Sequence, residues 1–325
     1  MTDISELLGY LSDGEFHSGE DLAKKLNVTR TAIWKQIKKL NSLLPFDIHS
    51  IPRKGYKIDR PMTLLKQSEI LLNLSVQAVI GPHNLEILFE CKSTNQFLLD
   101  RLVTNQPHNY LVLAEMQTEG RGRRGRYWVS PFASNIYMSL LWTLDISIAE
   151  MGGLSLVVAI SVAKAIQKCG VSNVMLKWPN DIYVDNKKLA GILLELRGES
   201  NSPCNAVIGI GVNVNMPQES GASIEQDWID MESALKCSIN RNHVISEILN
   251  ELIPRLQKFN AHGFNEFIEE WNTLDLLAEK LIKIDGHMSL NEGTAHGVDQ
   301  HGALIVEHEG ITQTLYSGEV SIRAT

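Results

Sequence analysis

Cysteine is scarce: Cys91, Cys169, Cys204 and Cys237 are the only four in a chain of 325 residues. They form no Cys-x-x-Cys pair and have no histidine nearby at zinc-ligand spacing, which excludes a disulfide scaffold and a zinc ribbon. None sits in an electropositive motif that favours a thiolate, so all four read as reduced, buried, small apolar residues. The ten histidines are equally scattered, and none is assigned to a metal. Long apolar runs are absent too. The longest, Met151 to Ala163, is interrupted by Gly152, Gly153 and Ser155 and falls short of the roughly 18 residues of a membrane span, so it predicts a buried core helix. The start, Met1 to Glu6, lacks the basic and then apolar character of a secretion signal, and a cytoplasmic protein with no membrane partner is expected. What is plentiful is core material. With 44% hydrophobic residues, global disorder is excluded, and at roughly 100 to 200 residues per domain the length allows two or three domains.

Charge is unevenly distributed in this acidic chain of net charge -8. Residues 1–62 carry 10 basic and 8 acidic side chains, leaving 20 basic and 30 acidic for the rest. From Leu22 to Phe46 there are six basic residues, Lys24, Lys25, Arg30, Lys35, Lys38 and Lys39, and no acidic one. Such local polarity points to a polyanion partner at one end. Ile4, Leu7, Leu8 and Leu11 recur at helical spacing, and Ser18 with Asp21 signals the start of a short helix ending near Leu26. Asn27 and Val28 then lead to Thr29, a cap for a helix from about Arg30 to Leu44. Two helices so closely joined predict a helix-turn-helix, with Thr29, Arg30, Thr31 and Lys35 facing nucleic acid and Ala32, Ile33, Ile37 and Leu40 packing inward. Trp34 is compatible with either side. Asp47 to Ser50 and Tyr56 to Ile58 read as strands around a Gly55 turn, a basic wing that brings Arg53 and Lys54 to phosphates. A merely solvated basic helix is the alternative; the order helix, turn, helix, basic hairpin favours DNA binding.

In the larger part, an apolar strand from Leu111 to Met116 runs into Gln117, Thr118, Glu119, Gly120, Arg121, Gly122, Arg123, Arg124, Gly125 and Arg126. The Gly-x-Gly-x-x-Gly match fails as a dinucleotide motif, because Tyr127 to Pro131 is poor helix material. No P-loop frame occurs either. Three glycines that let backbone N–H groups approach a ligand, with four forked guanidinium groups, suit phosphate or carboxylate. An exposed basic loop without a ligand, or a second nucleic-acid contact, remains the alternative. Further on, Lys177, Trp178, Pro179, Asn180 and Asp181 follow a short strand. Lys177 and Asp181 are either a loop ion pair or a phosphate and magnesium site. Lys188 leads into a strand with a gap at Gly191, and Val207 to Asn215 alternates with Gly209, Gly211, Asn213 and Asn215, a pattern that admits close approach by a ligand.

Taken together, Gly14 to Gly19, Ser93 to Gln96, Gly120 to Arg126, Lys177 to Asp181, Lys188 to Gly191 and Gly209 to Asn213 make the chain resemble, over essentially its whole length, the bifunctional biotin protein ligase and biotin-operon repressor family of bacteria. The resemblance implies an α+β fold: an N-terminal winged helix-turn-helix over residues 1–62, a central mixed-sheet ligase domain like class II aminoacyl-tRNA synthetases over 63–274, and an SH3-like C-terminal β-barrel over 275–325. It implies a biotin–[acetyl-CoA-carboxylase] ligase that makes biotinyl-5'-AMP from biotin and ATP and transfers biotin to a lysine of the biotin carboxyl carrier protein. It also implies a repressor of the biotin operon that binds operator DNA as a homodimer with the adenylate as co-repressor.

Carried over by position, Ser93, Thr94, Asn95 and Gln117 are expected on the biotin ring and ureido group, with Arg121, Gly122, Arg123 and Lys188 completing that subsite. Gly120, Arg123, Arg126, Lys177, Asn180, Asn213 and Trp228 are expected on ATP or the adenylate. Arg121, Arg123, Lys188 and Asp181 are the expected catalytic groups, and Asp181 the expected Mg²⁺ ligand, with a role as base for the acceptor lysine ranked lower. Trp228 is equally compatible with an adenine-packing role and a core anchor. The chain departs from the family pattern at Trp34, Lys38, Lys39, Met116, Thr118 and Glu119, which bears on the operator sequence rather than on the chemistry. The rivals are a regulator that only senses biotin, disfavoured by so many phosphate-directed groups; a lipoate-using relative, disfavoured by the Ser93 to Asn95 set; and a ligase with a vestigial DNA domain, disfavoured by the basic helix and wing. The C-terminal punctuation at Asp285–Gly286, Asn291–Gly293, Asp299–Gly302 and Glu309–Gly310 predicts short strands, and Val244 to Phe259 an amphipathic helix.

Overall fold

The computed structural model describes residues 4–75, 80–102, 109–198, 203–286, 291–316 and 320–324. At the N-terminal end α1 (Ile4–Leu11), α2 (Gly19–Lys25) and α3 (Arg30–Leu43) precede a hairpin of β1 (His49–Ile51) and β2 (Gly55–Lys57). Both expected caps form. Ser18 Oγ accepts from the Asp21 N–H at 3.0 Å and Thr29 Oγ1 from the Ala32 N–H at 3.2 Å, each satisfying an otherwise unpaired donor of a first turn. Gly55 has φ +110°, and a Cβ there would lie 2.0 Å from the His17 carbonyl oxygen, so only glycine lets the wing turn close on the segment before α2. The wing strands lie slightly offset from Asp47–Ser50 and Tyr56–Ile58. Ile33, Ile37 and Leu40 are buried as expected, Ala32 is only half-buried, and Trp34 points outward. Phe132 and Ala133 from the central region complete this small core, Phe132 meeting Phe46 edge-on at 6.1 Å between ring centroids.

The central region is a seven-stranded mixed sheet of β3 (Leu85–Leu88), β4 (Tyr110–Ala114), β5 (Ile136–Leu144), β6 (Val174–Lys177), β7 (Asp181–Val184), β8 (Lys187–Arg197) and β9 (Cys204–Val212). Its order is β3-β4-β5-β9-β8-β7-β6, with β3 and β4 parallel and every other pair antiparallel. Helices α4 (Gln67–Leu72) and α5 (Thr94–Leu102) flank the early strands, and α6 (Leu154–Lys168) is the buried helix expected from the apolar run. After short turns α7 (Gln218–Gly221) and α8 (Met231–Leu235), the long α9 (Arg241–His262) and then α10 (Ile268–Asn272) follow. Helices α6 and α9 share one core with the sheet residues Met138, Leu140, Ile192 and Ile210. The opposite face carries α5, whose Leu98 and Leu99 pack on Val112, Leu141 and Val207.

Five C-terminal strands, β10 (Leu281–Gly286), β11 (Glu292–Val298), β12 (Leu304–His308), β13 (Ile311–Leu315) and β14 (Val320–Ala324), form an antiparallel sheet in the order β13-β12-β11-β10-β14. The breaks at Asp299–Gly302 and Glu309–Gly310 fall between strands, whereas Asp285 and Gly286 end β10 and Glu292 and Gly293 begin β11; residues 287–290 lie outside the described residues. Among the described residues this sheet shares the central core: Ile282, Val298, Leu304 and Val306 join the same apolar cluster as α6 and α9. Of the four cysteines only Cys204 is buried; Cys91 and Cys169 are half-buried and Cys237 is exposed. Among the described residues no helix is long and apolar enough to cross a membrane.

Candidate active site

Strand register builds the site. Directly paired residues lie on the same face of a sheet, so Tyr137, Gly211, Gly191, Asp181 and Lys177 form one row across β5, β9, β8, β7 and β6. The next row on that face is Ser139, Gly209 and Leu193, and Glu195 lies two residues further along β8. The glycines at 209 and 211 admit protein groups: a Cβ at Gly209 would stand 2.3 Å from Asn95 Oδ1, and one at Gly211 2.5 Å from the Trp128 ring. Between these groups remains a cavity of about 30 Å³ walled by Ser93, Thr94, Gln117, Arg121 and Trp128.

A closed polar network lines its inner end. Gln117 Oε1 accepts from the Thr94 N–H (2.9 Å) and lies 3.2 Å from Thr94 Oγ1, while Gln117 Nε2 donates to Ser130 Oγ (3.0 Å). The fully buried Ser139 hydroxyl lies 2.7 Å from Thr94 Oγ1 and 2.6 Å from Asn95 Oδ1. Asn95 Nδ2 donates to the Leu193 carbonyl (3.2 Å) and to Glu195 Oε2 (2.9 Å). The amide of Asn95 is thus engaged at both ends by protein. The same Glu195 oxygen accepts from Arg121 Nη2 at 2.8 Å, tying the arginine loop to β8.

The loop itself folds as a tight hairpin: the Gly122 N–H donates to the Arg126 carbonyl (2.7 Å) and the Trp128 N–H to the Gly120 carbonyl (2.9 Å). Gly120 is sterically required, since a Cβ would lie 2.3 Å from the Trp128 oxygen, and Gly125 has φ +71°. Arg123 points inward and donates to Asn180 Oδ1 at 3.1 Å. Burial lowers its pKa, opposed by the charge of Asp181. Arg126 stays exposed at the rim. Lys188 Nζ lies 2.8 Å from Asp181 Oδ1 and 5.6 Å from the Trp128 ring centroid, and Lys177 Nζ lies over Tyr183, 5.4 Å from its centroid. Burial, reinforced by Asp181, pushes the Tyr183 phenol up to about 12. Trp228 is brought to this side by backbone bonds: the Lys188 N–H donates to the Asp227 carbonyl and the Ile229 N–H to the Lys188 carbonyl, both at 3.0 Å. Its Nε1 donates to the Gly221 carbonyl at 3.3 Å, and Asn213 Nδ2 donates to that of Ile229 at 3.3 Å.

Three polar atoms here, Trp128 Nε1, Asp181 Oδ1 and Asn213 Oδ1, are buried without a hydrogen-bond partner. Buried polar atoms are normally paired, so their grouping on one face marks a place built for a polar ligand. Asp181 meets Lys188 only as an ion pair, leaving lone pairs on the carboxylate. Among the described residues no three acidic, histidine or cysteine side chains gather as a metal cluster. A magnesium ion that arrives with nucleotide phosphates and keeps several waters needs only one or two carboxylates, and Asp181 fits it. Cysteine chemistry is unsuited to the site: burial pushes the nearby Cys91 thiol up to about 12.

The expected groups Ser93, Thr94, Asn95, Gln117, Arg121, Arg123, Asn180, Asp181 and Lys188 thus converge from α5, the arginine loop, β7 and β8. Thr29, Arg30, Thr31, Lys35, Arg53 and Lys54 are all exposed on α3 and the wing. Sequence reasoning missed Trp128, Ser139 and Glu195. Two of these were within reach of strand alternation, because Glu195 is four residues beyond Gly191 on β8 and therefore on its face.

Three family models match in chain order: an HTH domain over residues 4–57, the biotin/lipoate A/B protein ligase family over 88–213 and the biotin protein ligase C terminal domain over 282–323. The chain is 37% identical to the bifunctional ligase/repressor BirA of Escherichia coli, over 98% of this chain and 97% of that protein. It is 31% identical to the Bacillus subtilis protein of the same name, over 98% of each. A solved biotin protein ligase from Aquifex aeolicus, in complex with biotin and ATP, superposes with a TM-score of 0.64 at 29% identity, covering 74% of this chain and 99% of that one. With a helix-turn-helix in front of the ligase fold and a matching C-terminal domain behind it, the chain belongs to the biotin protein ligase family, among its bifunctional ligase/repressors.

Proposed function

We propose that the chain joins biotin to ATP, forming biotinyl-5'-AMP and pyrophosphate, and transfers the biotinyl group to a lysine of the biotin carboxyl carrier protein of acetyl-CoA carboxylase. We further propose that, loaded with the adenylate, it dimerises and represses the biotin operon. The observation that carries the reading is the gathering of Arg121, Arg123 and the Lys188–Asp181 ion pair, with the unpartnered Trp128 and Asn213 atoms, beside a slot lined by Ser93, Thr94 and Gln117.

In the first step a biotin carboxylate oxygen bonds to the ATP α-phosphorus and the bond to pyrophosphate breaks. Two anions must meet, and fixed positive charge in a half-buried site lowers that barrier. Arg123, oriented by Asn180, and Lys188, oriented by Asp181, supply it, with Arg121 closing from the loop. Ser93, Thr94 and Gln117 hold the ureido head, while Asn95, fully engaged, shapes the slot. Gly120, Gly122, Arg126, Lys177, Asn213 and Trp228 are assigned to the nucleotide side. Asp181 would hold a Mg²⁺ ion arriving with the nucleotide, which would supply charge neutralisation for the phosphates. In the second step the acceptor amine attacks the acyl carbon, the bond to AMP breaks, and the amine proton departs. Thr29, Arg30, Thr31, Lys35, Arg53 and Lys54 are assigned to operator DNA. DNA binding is assigned to residues 1–62 and both chemical steps to 63–274, with 275–325 as the C-terminal domain, in a cytoplasmic protein.

The deciding experiment supplies labelled biotin and Mg-ATP with and without a carrier domain. Pyrophosphate release without carrier, and label transfer with it, is the expected result. Biotin binding without pyrophosphate release would make the chain a ligand-sensing regulator instead.

A further inference from the structure

We propose that Trp34 reads sequence in the operator, its indole packing against the 5-methyl group of a thymine in the major groove. The inference rests on the DNA-binding reading above and deepens it. Helix α3 buries Ile33, Ile37 and Leu40 and turns Thr31, Trp34, Lys35 and Lys38 outward at i, i+3, i+4 and i+7, one stripe on the second helix of the helix-turn-helix. Trp34 is 52% exposed. Its described neighbour on that surface is Lys38, whose ammonium lies 5.7 Å from the ring centroid, leaving much of the ring to water.

Covering an exposed indole in the middle of a basic stripe removes apolar surface from water, which favours a partner that offers an apolar group there. Charge identifies that partner. Residues 22–46 hold six basic side chains and no acidic one, and Arg53, Lys54 and Lys57 extend the same sign onto the wing, so the covering surface is polyanionic. Within the major groove the thymine methyl is the apolar group that a ring on such a helix can bury; phosphates and the other base edges offer polar atoms. Arg30, Lys35 and Lys38 then hold the backbone while Trp34 contributes discrimination.

The test starts from the duplex that the full-length protein, supplied with biotin and Mg-ATP, selects from random DNA. Each thymine is then replaced by deoxyuridine, which removes only the methyl. Wild-type protein should lose roughly four- to tenfold in affinity at one thymine of each half-site, the scale of one buried methyl or slightly more. Trp34→Ala should bind the parent duplex more weakly by a similar factor and be indifferent to deoxyuridine at that position. Trp34→Phe, which keeps a flat apolar ring, should fall between. The variants should keep the salt dependence, the affinity for random DNA and carrier biotinylation of the wild type, which separates loss of reading from loss of folding. The proposal is overturned if no thymine methyl is coupled to residue 34, or if Trp34→Ala weakens selected and random DNA equally. If wild-type protein selects no duplex over random DNA, the DNA-binding reading falls and takes this inference with it; selection without coupling sinks the thymine contact alone.

Discussion

Asp181 shows how a single side chain is held ready. Its carboxylate sits between Lys188 at 2.8 Å and the Arg123–Asn180 pair, half-buried, with one oxygen lacking a hydrogen bond. Asp181→Asn removes the charge that orients Lys188 and the cation site together, so adenylate formation, read as pyrophosphate release without carrier, should fall roughly a hundredfold. Normal adenylate formation with failed transfer would assign Asp181 instead to the acceptor amine. Ser139 acts in a different way. Its hydroxyl lies within hydrogen-bond reach of both Thr94 and Asn95, and its single proton goes to Asn95 Oδ1, which can only accept, so Ser139→Ala would leave that buried acceptor short of a donor at about 1–3 kcal/mol. The expected outcome is a KM for biotin raised several-fold while the KM for ATP stays within twofold, since the network borders the slot proposed for biotin; equal changes in both would count against that role.

At the scale of elements, the ends of strands and helices are joined by buried polar groups. Arg241, 2% exposed at the start of α9, donates to the Thr63 carbonyl, to Asn135 O at 2.9 Å and to Glu115 Oε2 at 2.6 Å, and Glu115 Oε1 accepts from the Leu65 N–H at 2.6 Å. One ion pair thereby fixes the 63–65 segment to β4, β5 and α9. Asp275 stands at a second junction, just after α10, where Leu176 pairs through its backbone with Leu274 and Leu276. Burial raises its pKa above the ordinary 3.8, opposed by the Leu277 N–H it accepts at 2.9 Å. A carboxyl with a raised folded-state pKa holds its proton more tightly in the native protein. Its contribution to stability is therefore complete below about 3.8 and is lost as pH rises through the higher native value. Asp275→Asn keeps the acceptor and removes the buried charge; urea unfolding at pH 7 should show a higher midpoint for the variant, and the difference should shrink toward pH 4.

Across the whole molecule, the N-terminal and C-terminal units are each packed into the ligase core. Phe132 and Ala133 belong to the winged-helix core, Arg60 donates to Asn215 just past β9, and Trp178 Nε1 donates to the Gly302 carbonyl at 3.0 Å. The last contact joins the Lys177 to Asp181 hairpin to the turn between β11 and β12, so the C-terminal sheet braces the part of the site proposed for the nucleotide. The exposed basic groups proposed to face DNA are nonetheless on α3 and the wing, on different elements from the slot. Arg30→Ala with Lys35→Ala should weaken operator binding at least tenfold at physiological salt and flatten its salt dependence, because two phosphate-facing charges are removed. Biotin transfer to the carrier should be unchanged, and joint loss of both activities would contradict separable surfaces.

Local sequence determined much of this. Caps at Ser18 and Thr29, the apolar spacing of α1 and α3, the buried α6 and the breaks at Asp299–Gly302 and Glu309–Gly310 are short-range signals, set by neighbours within a few residues, and they appear where the spacing placed them. The arginine loop and the Lys177 to Asp181 turn also stood out in the sequence, and Arg123 of the loop does reach Asn180 of the turn. Tertiary structure alone decided which groups meet. The row from Tyr137 to Lys177 joins strands 40 residues apart through register, Glu195 reaches Arg121 across 74 positions, and Trp128 fills the space left by Gly191 and Gly211. Alternation along β8 puts Gly191, Leu193 and Glu195 on one face, but a one-residue slip in register would turn all three to the opposite side, so how the strands align and the helices pack decided which groups that face meets.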